Sequence, residues 1–223
     1  MSNTVKPSIT IGYINHNEEV FNKFLGKSLN YLEGNFDIIS TTDKNPPSKN
    51  YNEIIDKSSN NLIILTHQDI SFSSDLIKNI FSTIETVGED FGALGIVGMN
   101  SQGYIWSENN NTPKKVNFLD CCFIVIQKKH GLKFDEENFD DFHLYVEDYC
   151  ARITQKLGKL IYTINTSSSE APPDMNIDEL LNSKISFANH HSFTLNQRGN
   201  CWGRYWEYHD KLVRLWPNIN KST

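Results

Sequence analysis

Residues that could do chemistry gather in a few short stretches of this sequence. In "LIILTHQD" the apolar run from Leu62 to Leu65 stops abruptly at Thr66-His67-Gln68-Asp69. A carboxylate just past a buried strand either caps the next helix or holds a hard cation. Magnesium is commonly bound by one or two protein carboxylates together with substrate phosphate oxygens. Ser73 and Ser74 are better placed as caps, which frees Asp69 for a ligand. In "DFHLYVEDYCARI", His143 and Glu147 are four apart and share a face of an expected helix. Asp148 lies about 100° further round that helix. Adjacent acids usually face solvent. These are surrounded by Leu144, Tyr145, Val146, Tyr149 and Cys150, where burial would raise a carboxyl pKa and suit a general base. "FANHHSF" carries His190 and His191, either of which could complete a distant carboxylate site or simply pack in the core.

The elements that must position these groups follow from hydrophobic spacing. "SITIGYI" (8–14), "FDIIS" (36–40), 61–66 and "ALGIVG" (93–98) are expected strands. Residues 18–32, 51–59 and a segment after Ser73 as N-cap are expected helices, and Pro46-Pro47 belongs to a loop. "VNFLDCCFIVIQ" (116–127) is expected to be one long strand carrying a single acid, Asp120. A helix from about residue 141 ends at Gly158, and "KLIYTIN" is a further strand. The segment "TSSSEAPPDMNIDELLNS" is expected to be a mobile loop. In the tail, Trp202, Tyr205, Trp206, His209, Leu212, Val213 and Trp216 share one helical face. Strands alternating with helices predict an α/β fold with a mostly parallel sheet covered on both faces. In such sheets ligands bind beyond the carboxyl ends of the strands, where Asn15 and His67-Gln68-Asp69 should meet.

Composition narrows the function classes. The chain has 223 residues and a net charge of −6, from 21 basic and 27 acidic side chains, with no basic run. A nucleic-acid surface is disfavoured, because it needs phosphate-neutralising Lys and Arg. No apolar run reaches the roughly 20 residues of a membrane span, and the start lacks a signal peptide's features, so a cytoplasmic protein is expected. The four cysteines, Cys121, Cys122, Cys150 and Cys201, lack zinc-site spacing and are read as reduced core thiols, the adjacent pair pointing to opposite strand faces. There is no P-loop, GxGxxG or GxSxG.

In order, "ITIGYINHNEEVF", "NYNEIID", "LIILTHQDISFSSDLI", "VNFLDCCFIVIQKK" and "KFDEENFDDFHLYVEDYCARITQKLGKLIYTI" resemble the nucleotide-sugar glycosyltransferases of the GT-A fold. The similarity is to family 2, near the small glycosyltransferase-like group related to the StrF domain, and it spans roughly residues 8 to 192. It implies a GT-A-like domain over 1–192, divided into a nucleotide-sugar half (1–100) and an acceptor half (101–192). Residues 193–223 form a helical tail on the domain or on a second subunit, as in a homodimer. It implies an inverting, metal-dependent transferase using Mn2+ or Mg2+ and a nucleotide-diphosphate-sugar, a UDP-sugar being favoured. The acceptor would be a glycan, a lipid-linked glycan or a small molecule, with peripheral membrane association compatible. By the same resemblance, Tyr13, Asn15, Asn52, His67, Gln68 and Asp120 would line the donor pocket. Asp69, with His190 or His191, would bind the metal. Asp148 would be the base, or Glu147 if the helix is turned differently.

The sequence departs from the family where His67 replaces the first acid of Asp-x-Asp, which removes a negative charge from the site, so that metal affinity would be weaker or the metal would be manganese rather than magnesium. Two other readings stay open. One is a nucleotide-sugar-binding module of the same fold without turnover. The other is a metal-dependent hydrolase built from His67, Asp69, His143, Glu147 and His190.

Overall fold

A computed structural model describes residues 8–100, 103–106, 112–166, 168–170, 187–190 and 205–217. The chain runs β1 (Ile9–Asn15), α1 (Glu18–Lys23), α2 (Leu25–Tyr31), β2 (Phe36–Thr42), α3 (Pro47–Lys57), β3 (Leu62–Thr66) and β4 (Ile70–Phe72). It continues through α4 (Leu76–Val87), β5 (Ala93–Gly95), β6 (Val97–Asn100), β7 (Gly103–Trp106), β8 (Lys115–Val116), β9 (Phe118–Leu119) and β10 (Phe123–Gln127). After a 3-10 turn at Lys128–His130 come α5 (Tyr145–Leu157), β11 (Ile161–Thr163), β12 (Ser168–Glu170), β13 (Phe187–Asn189) and α6 (Tyr205–Leu215).

The main sheet has seven strands in the order β2-β1-β3-β10-β5-β11-β8. β2, β1 and β3 are parallel neighbours, as are β5 and β11, while β10 and β8 run against them. The expected mostly parallel sheet is therefore present. Both faces are covered, which the period-2 alternation of β3 and β10 makes explicit. Ile63, Leu65, Ile124 and Ile126 pack with α3, α5 and α6, whereas Ile64, Phe123 and Val125 pack with α2 and α4. On β1, a Cβ on Gly12 would stand 2.4 Å from Ile54 Cγ2 of α3, so glycine allows that helix to lie directly on the strand.

Several expected boundaries shift. Helix 18–32 breaks at Phe24 into α1 and α2. α3 begins at Pro47 itself, because proline at N1 forfeits only an N–H that has no intrahelical partner. Ser73 does not cap α4: Asp75 holds the N-cap position without a side-chain cap bond, and Ser73 Oγ bonds the Asp75 carboxylate instead. The stretch 93–98 divides between two sheets, β5 in the main one and β6 in a three-stranded one with β7 and β9. The long strand 116–127 is also interrupted. Asp120 Oδ1 accepts from Cys122 N at 2.8 Å, forming a tight turn between β9 and β10. Cys121 and Cys122 sit in that turn rather than on a strand; together with Cys150 they are free thiols, and Cys201 lies outside the described residues. Most of the expected loop from Thr166 onward, "TSSSEAPPDMNIDELLNS", also lies outside them.

Candidate active site

The tip of β3 is built on latches. His67 N donates to Cys122 O (3.0 Å) and Thr66 Oγ1 to the same carbonyl (3.1 Å), which ties the tip to the Asp120 turn. Gln68 is buried and faces the β1–α1 corner. Its Oε1 accepts from His16 N (2.9 Å) and Asn17 N (3.3 Å), and its Nε2 donates to Asn17 O (2.7 Å). Asn17 Oδ1 in turn caps α1 through Glu19 N and Val20 N. The expected meeting of the β1 and β3 tips thus occurs, with Gln68 as its fastener. The chain then enters β4, an added strand, before α4.

β4 also explains how a distant histidine arrives. β13 pairs antiparallel with β4, matching Asn189 to Ile70, and His190 N donates to Asp69 O at 2.9 Å. The His190 ring is buried, stacked on Phe24 at 4.0 Å, with Nε2 3.0 Å from Ser71 Oγ. His191 lies outside the described residues. Asp69 is 5% exposed, and its Oδ1 stands 3.8 Å from His67 Nδ1. Among the described residues, no three His, Cys, Asp or Glu side chains form a group able to hold a metal. His67 and Asp69 supply at most two protein ligands, a number that fits a cation completed by phosphate oxygens.

The other expected donor contacts are dispersed. Tyr13 stacks on Phe21 (4.9 Å, 7° between planes), and burial pushes its phenol pKa up against the opposing Ser40 bond. Asn15 Nδ2 donates to Glu18 Oε2 at 2.9 Å, while its shielded Oδ1 has no hydrogen-bond partner. Asn52 is taken up by structural hydrogen bonds. It fastens α3 to the segment after β10, donating to Phe134 O and Glu136 Oε1 and accepting from Phe134 N.

The two acids at the start of α5 separate cleanly. The helix begins after Leu144, whose φ of 62° is left-handed and costs about 1–2 kcal/mol for a residue with a Cβ. His143 therefore precedes the helix and does not share a face with Glu147; its ring meets Tyr205 edge-on at 5.6 Å. Asp148 is 1% exposed and fully engaged, accepting from Arg152 Nε on Oδ2 and from Trp216 Nε1 on Oδ1, both at 2.8 Å. Burial raises its pKa, while Arg152 and Trp216 pull the other way. Glu147 has no such partners. Its Oε2 is shielded from solvent without a hydrogen bond, and burial raises the carboxyl pKa to about 8 against the pull of its own backbone N–H. The Asp120 charge raises it further.

Cys121 shows how these groups converge. Burial raises its thiol pKa most, then the charges of Asp120 and Glu147, and more weakly that of Asp69. Asp69 just past β3, Asp120 just before β10 and Glu147 in the first turn of α5 thus lie at one edge of the sheet, and all three charges are felt at the Cys121 thiol. Beneath that edge Cys121, Tyr145 and Tyr51 form a polar chain, which ends where Tyr51 OH reaches Thr66 O at 3.4 Å. Sequence reading had no signal for Tyr51 or Trp216. The Asp148–Arg152 pair was open to it, since i,i+4 residues of opposite charge face each other on a helix.

No protein-family model matches the sequence, and no curated protein sequence matches it. Solved structures do. TarS 1-349 of S. aureus, in complex with UDP-GlcNAc, superposes with a TM-score of 0.58 at 11% identity, covering 93% of this chain and 66% of that one. GalNAc-T7 with UDP, GalNAc and Mn2+ gives 0.57 at 6% identity, covering 94% and 51%. A mannosyltransferase, PcManGT from Pyrobaculum calidifontis, in complex with GDP-Man and Mn2+, gives 0.50 at 10% identity, covering 98% and 73%. The chain spans slightly less than two thirds of the TarS 1-349 chain. Sheet order, covered faces and these superpositions agree: the chain has the GT-A-like glycosyltransferase fold.

Proposed function

We propose that this protein transfers a sugar, with inversion, from a nucleotide-diphosphate-sugar to an acceptor hydroxyl. The observation that carries the reading is the shielded, unbonded Glu147 carboxylate at the sheet edge that also holds Asp69 and Asp120. Nucleotide-sugars bound to structures of the same fold support it.

Glu147 is the base. Its ionised carboxylate takes the acceptor O–H proton as that oxygen bonds to the anomeric carbon. The bond from that carbon to the diphosphate oxygen breaks, and its electron pair leaves on the diphosphate. Asp69 and His67 would hold a divalent cation, Mn2+ fitting the imidazole better than Mg2+, which would supply positive charge to the departing diphosphate. Asn15 Oδ1 is an acceptor for the nucleotide. Asp120 keeps Glu147 basic and lines the pocket. Residues 1–100 form the donor half, 101–192 the acceptor half, and 193–223 a tail that includes α6.

The hydrolase reading is not favoured, because His143 precedes α5 and the His190 ring is taken up by Phe24 and Ser71. Among the described residues no helix is long and apolar enough to cross a membrane. The test is a thermal-shift panel of UDP-, GDP- and TDP-sugars with and without Mn2+, followed by product analysis. Stabilisation by a nucleotide-sugar that Asp69→Ala abolishes, with transfer lost in Glu147→Gln, is the expected result. If no nucleotide-sugar stabilises the chain under either condition, the reading fails. Donor binding with neither transfer nor donor hydrolysis would mark a binding module instead.

A further inference from the structure

The acceptor side of Glu147 has a chemistry of its own. α6 buries Tyr208 and Leu212, which with Tyr205 and Trp216 make its contact with the core. Tyr208 OH donates to Asp140 Oδ1 at 2.6 Å, and Trp216 holds Asp148, so the helix is fixed at both ends against the α5 side of the domain. Trp206 does not join that stripe. Although helical spacing groups it with the buried aromatics, it is 71% exposed. Its ring is steeply inclined to Tyr205 (5.3 Å, 86°) and to His209 (5.6 Å, 72°), so neither of those rings stacks flat on the indole. Tyr205 links this indole to the start of α5: it packs on the cluster that includes Tyr145 and Val146, beside Glu147 in the chain, and His143 meets its ring edge-on. Phe142, next to His143 in the chain, is half exposed.

Building on the glycosyltransferase reading, we propose that Trp206 and Tyr205, with His143 and His209 at their edges, seat a sugar ring of a carbohydrate acceptor beside Glu147. The axial C–H bonds on one face of a pyranose carry partial positive charge and match the negative face of an indole. Imidazole edges among the aromatic faces can bond ring hydroxyls, as the sparse polar groups of ligand sites do. The surroundings oppose the other candidate surfaces. The charges of α6 are balanced, Glu207 and Asp210 against Lys211 and Arg214, with Glu207 paired to Lys211, so the helix offers no cationic face to an anionic lipid surface or a polyanionic acceptor. Among the described residues the exposed apolar side chains of this region are Trp206, Phe142 and Leu215, well short of the area of a stable subunit contact.

Saturation-transfer NMR with the full chain tests this, using a panel of neutral gluco-, galacto-, manno- and N-acetylglucosamine trisaccharides beside the nucleotide-sugar panel. A trisaccharide should receive transfer and bind about tenfold more weakly to Trp206→Ala, with most affinity kept in Trp206→Phe. The thermal midpoint of Trp206→Ala should stay near that of the wild type, because the indole is exposed, so a loss of binding is not a loss of fold. If a nucleotide-sugar binds while no trisaccharide does, or if Trp206→Ala binds as the wild type does, the platform is overturned and the transferase reading stands. If a trisaccharide contacts Trp206 while no nucleotide-sugar binds or is cleaved, the transferase reading falls and a carbohydrate-binding face remains. A concentration-dependent dimer that Trp206→Ala abolishes, with no saccharide bound, would assign the patch to self-association and overturn the proposal.

Discussion

The tip of β3 and the first turn of α5 both bring acids to the same edge of the sheet, but they are built in opposite ways. At the β3 tip the neighbours of Asp69 are committed to holding backbone: Gln68 fastens the β1–α1 corner, and His67 N and Thr66 fasten the Asp120 turn. In α5 the commitment falls on one acid and passes over the next. Asp148 is closed by Arg152 and Trp216, while Glu147 Oε2 is buried without a partner. A buried polar group left unsatisfied costs stability, and a fold retains that cost where the group has chemistry to do. One residue of helix rotation separates a carboxylate closed by two donors from one left without a hydrogen bond.

The sharpest way to break that contrast is to exchange the roles. Glu147→Gln keeps the shape and removes the base, so transfer should fall about 10²- to 10⁴-fold with donor affinity little changed, read as a loss in kcat. Asp148→Asn should leave measurable transfer. Equal, near-complete losses in the two variants, both with unchanged melting, would reverse the assignment.

Stability separates the same pair in the other direction. Asp148→Ala takes from the mostly buried Arg152 guanidinium its hydrogen-bonded carboxylate and removes the acceptor for Trp216. A loss of about 3–5 kcal/mol is expected in denaturant unfolding. Glu147→Ala should cost far less. If the Asp148 variant melts like the wild type, the closed carboxylate is not structural.

Gln68→Ala probes the other region. It strips the His16 and Asn17 amides and the Asn17 carbonyl of their partner, at a cost of about 2 kcal/mol. Its effect on donor binding should be indirect, through the β1–α1 corner. Gln68→Glu should recover the two accepted bonds and part of the stability. Recovery of donor affinity without recovery of stability would instead make Gln68 a direct donor contact.

The sequence made these two regions unequally legible. The β3 tip could be read because a fully buried strand alternates between two packed faces, and a sudden polar triplet marks its end. The Asp120 turn was hidden, since Phe118, Leu119 and Phe123–Ile126 give a continuous apolar pattern and only the Asp120 side-chain bond reveals the reversal. The start of α3 was hidden by Pro47, which breaks helices in their interior but suits their first position. Which acid of the pair on α5 is free depends on where the helix begins. Leu144 in a left-handed conformation sets that start, and nothing local announces it in a leucine. Trp216 lies far along the chain from Asp148, so their contact exists only through packing of α6.

The smallest effect per step, and the most specific to Glu147, is pH dependence. Its carboxyl pKa is about 8 in the fold, against 4.5 as the ordinary value. Between those values the folded chain binds a proton that the unfolded chain has released. Stability contributed by this group is therefore whole below about pH 4.5 and declines as pH rises toward 8. The slope within that window is at most about 1.4 kcal/mol per pH unit. Glu147→Gln cannot ionise, so its stability relative to the wild type should improve steadily across the window and level off above it. Transfer by the wild type should move oppositely, rising with pH as the base ionises, half-maximal near pH 8 and levelling off about one to two units above it. An unfolding difference between the two proteins that stays flat from pH 5 to 8 would mean that Glu147 is ionised throughout. The contrast between the two acids would then rest on hydrogen bonding alone.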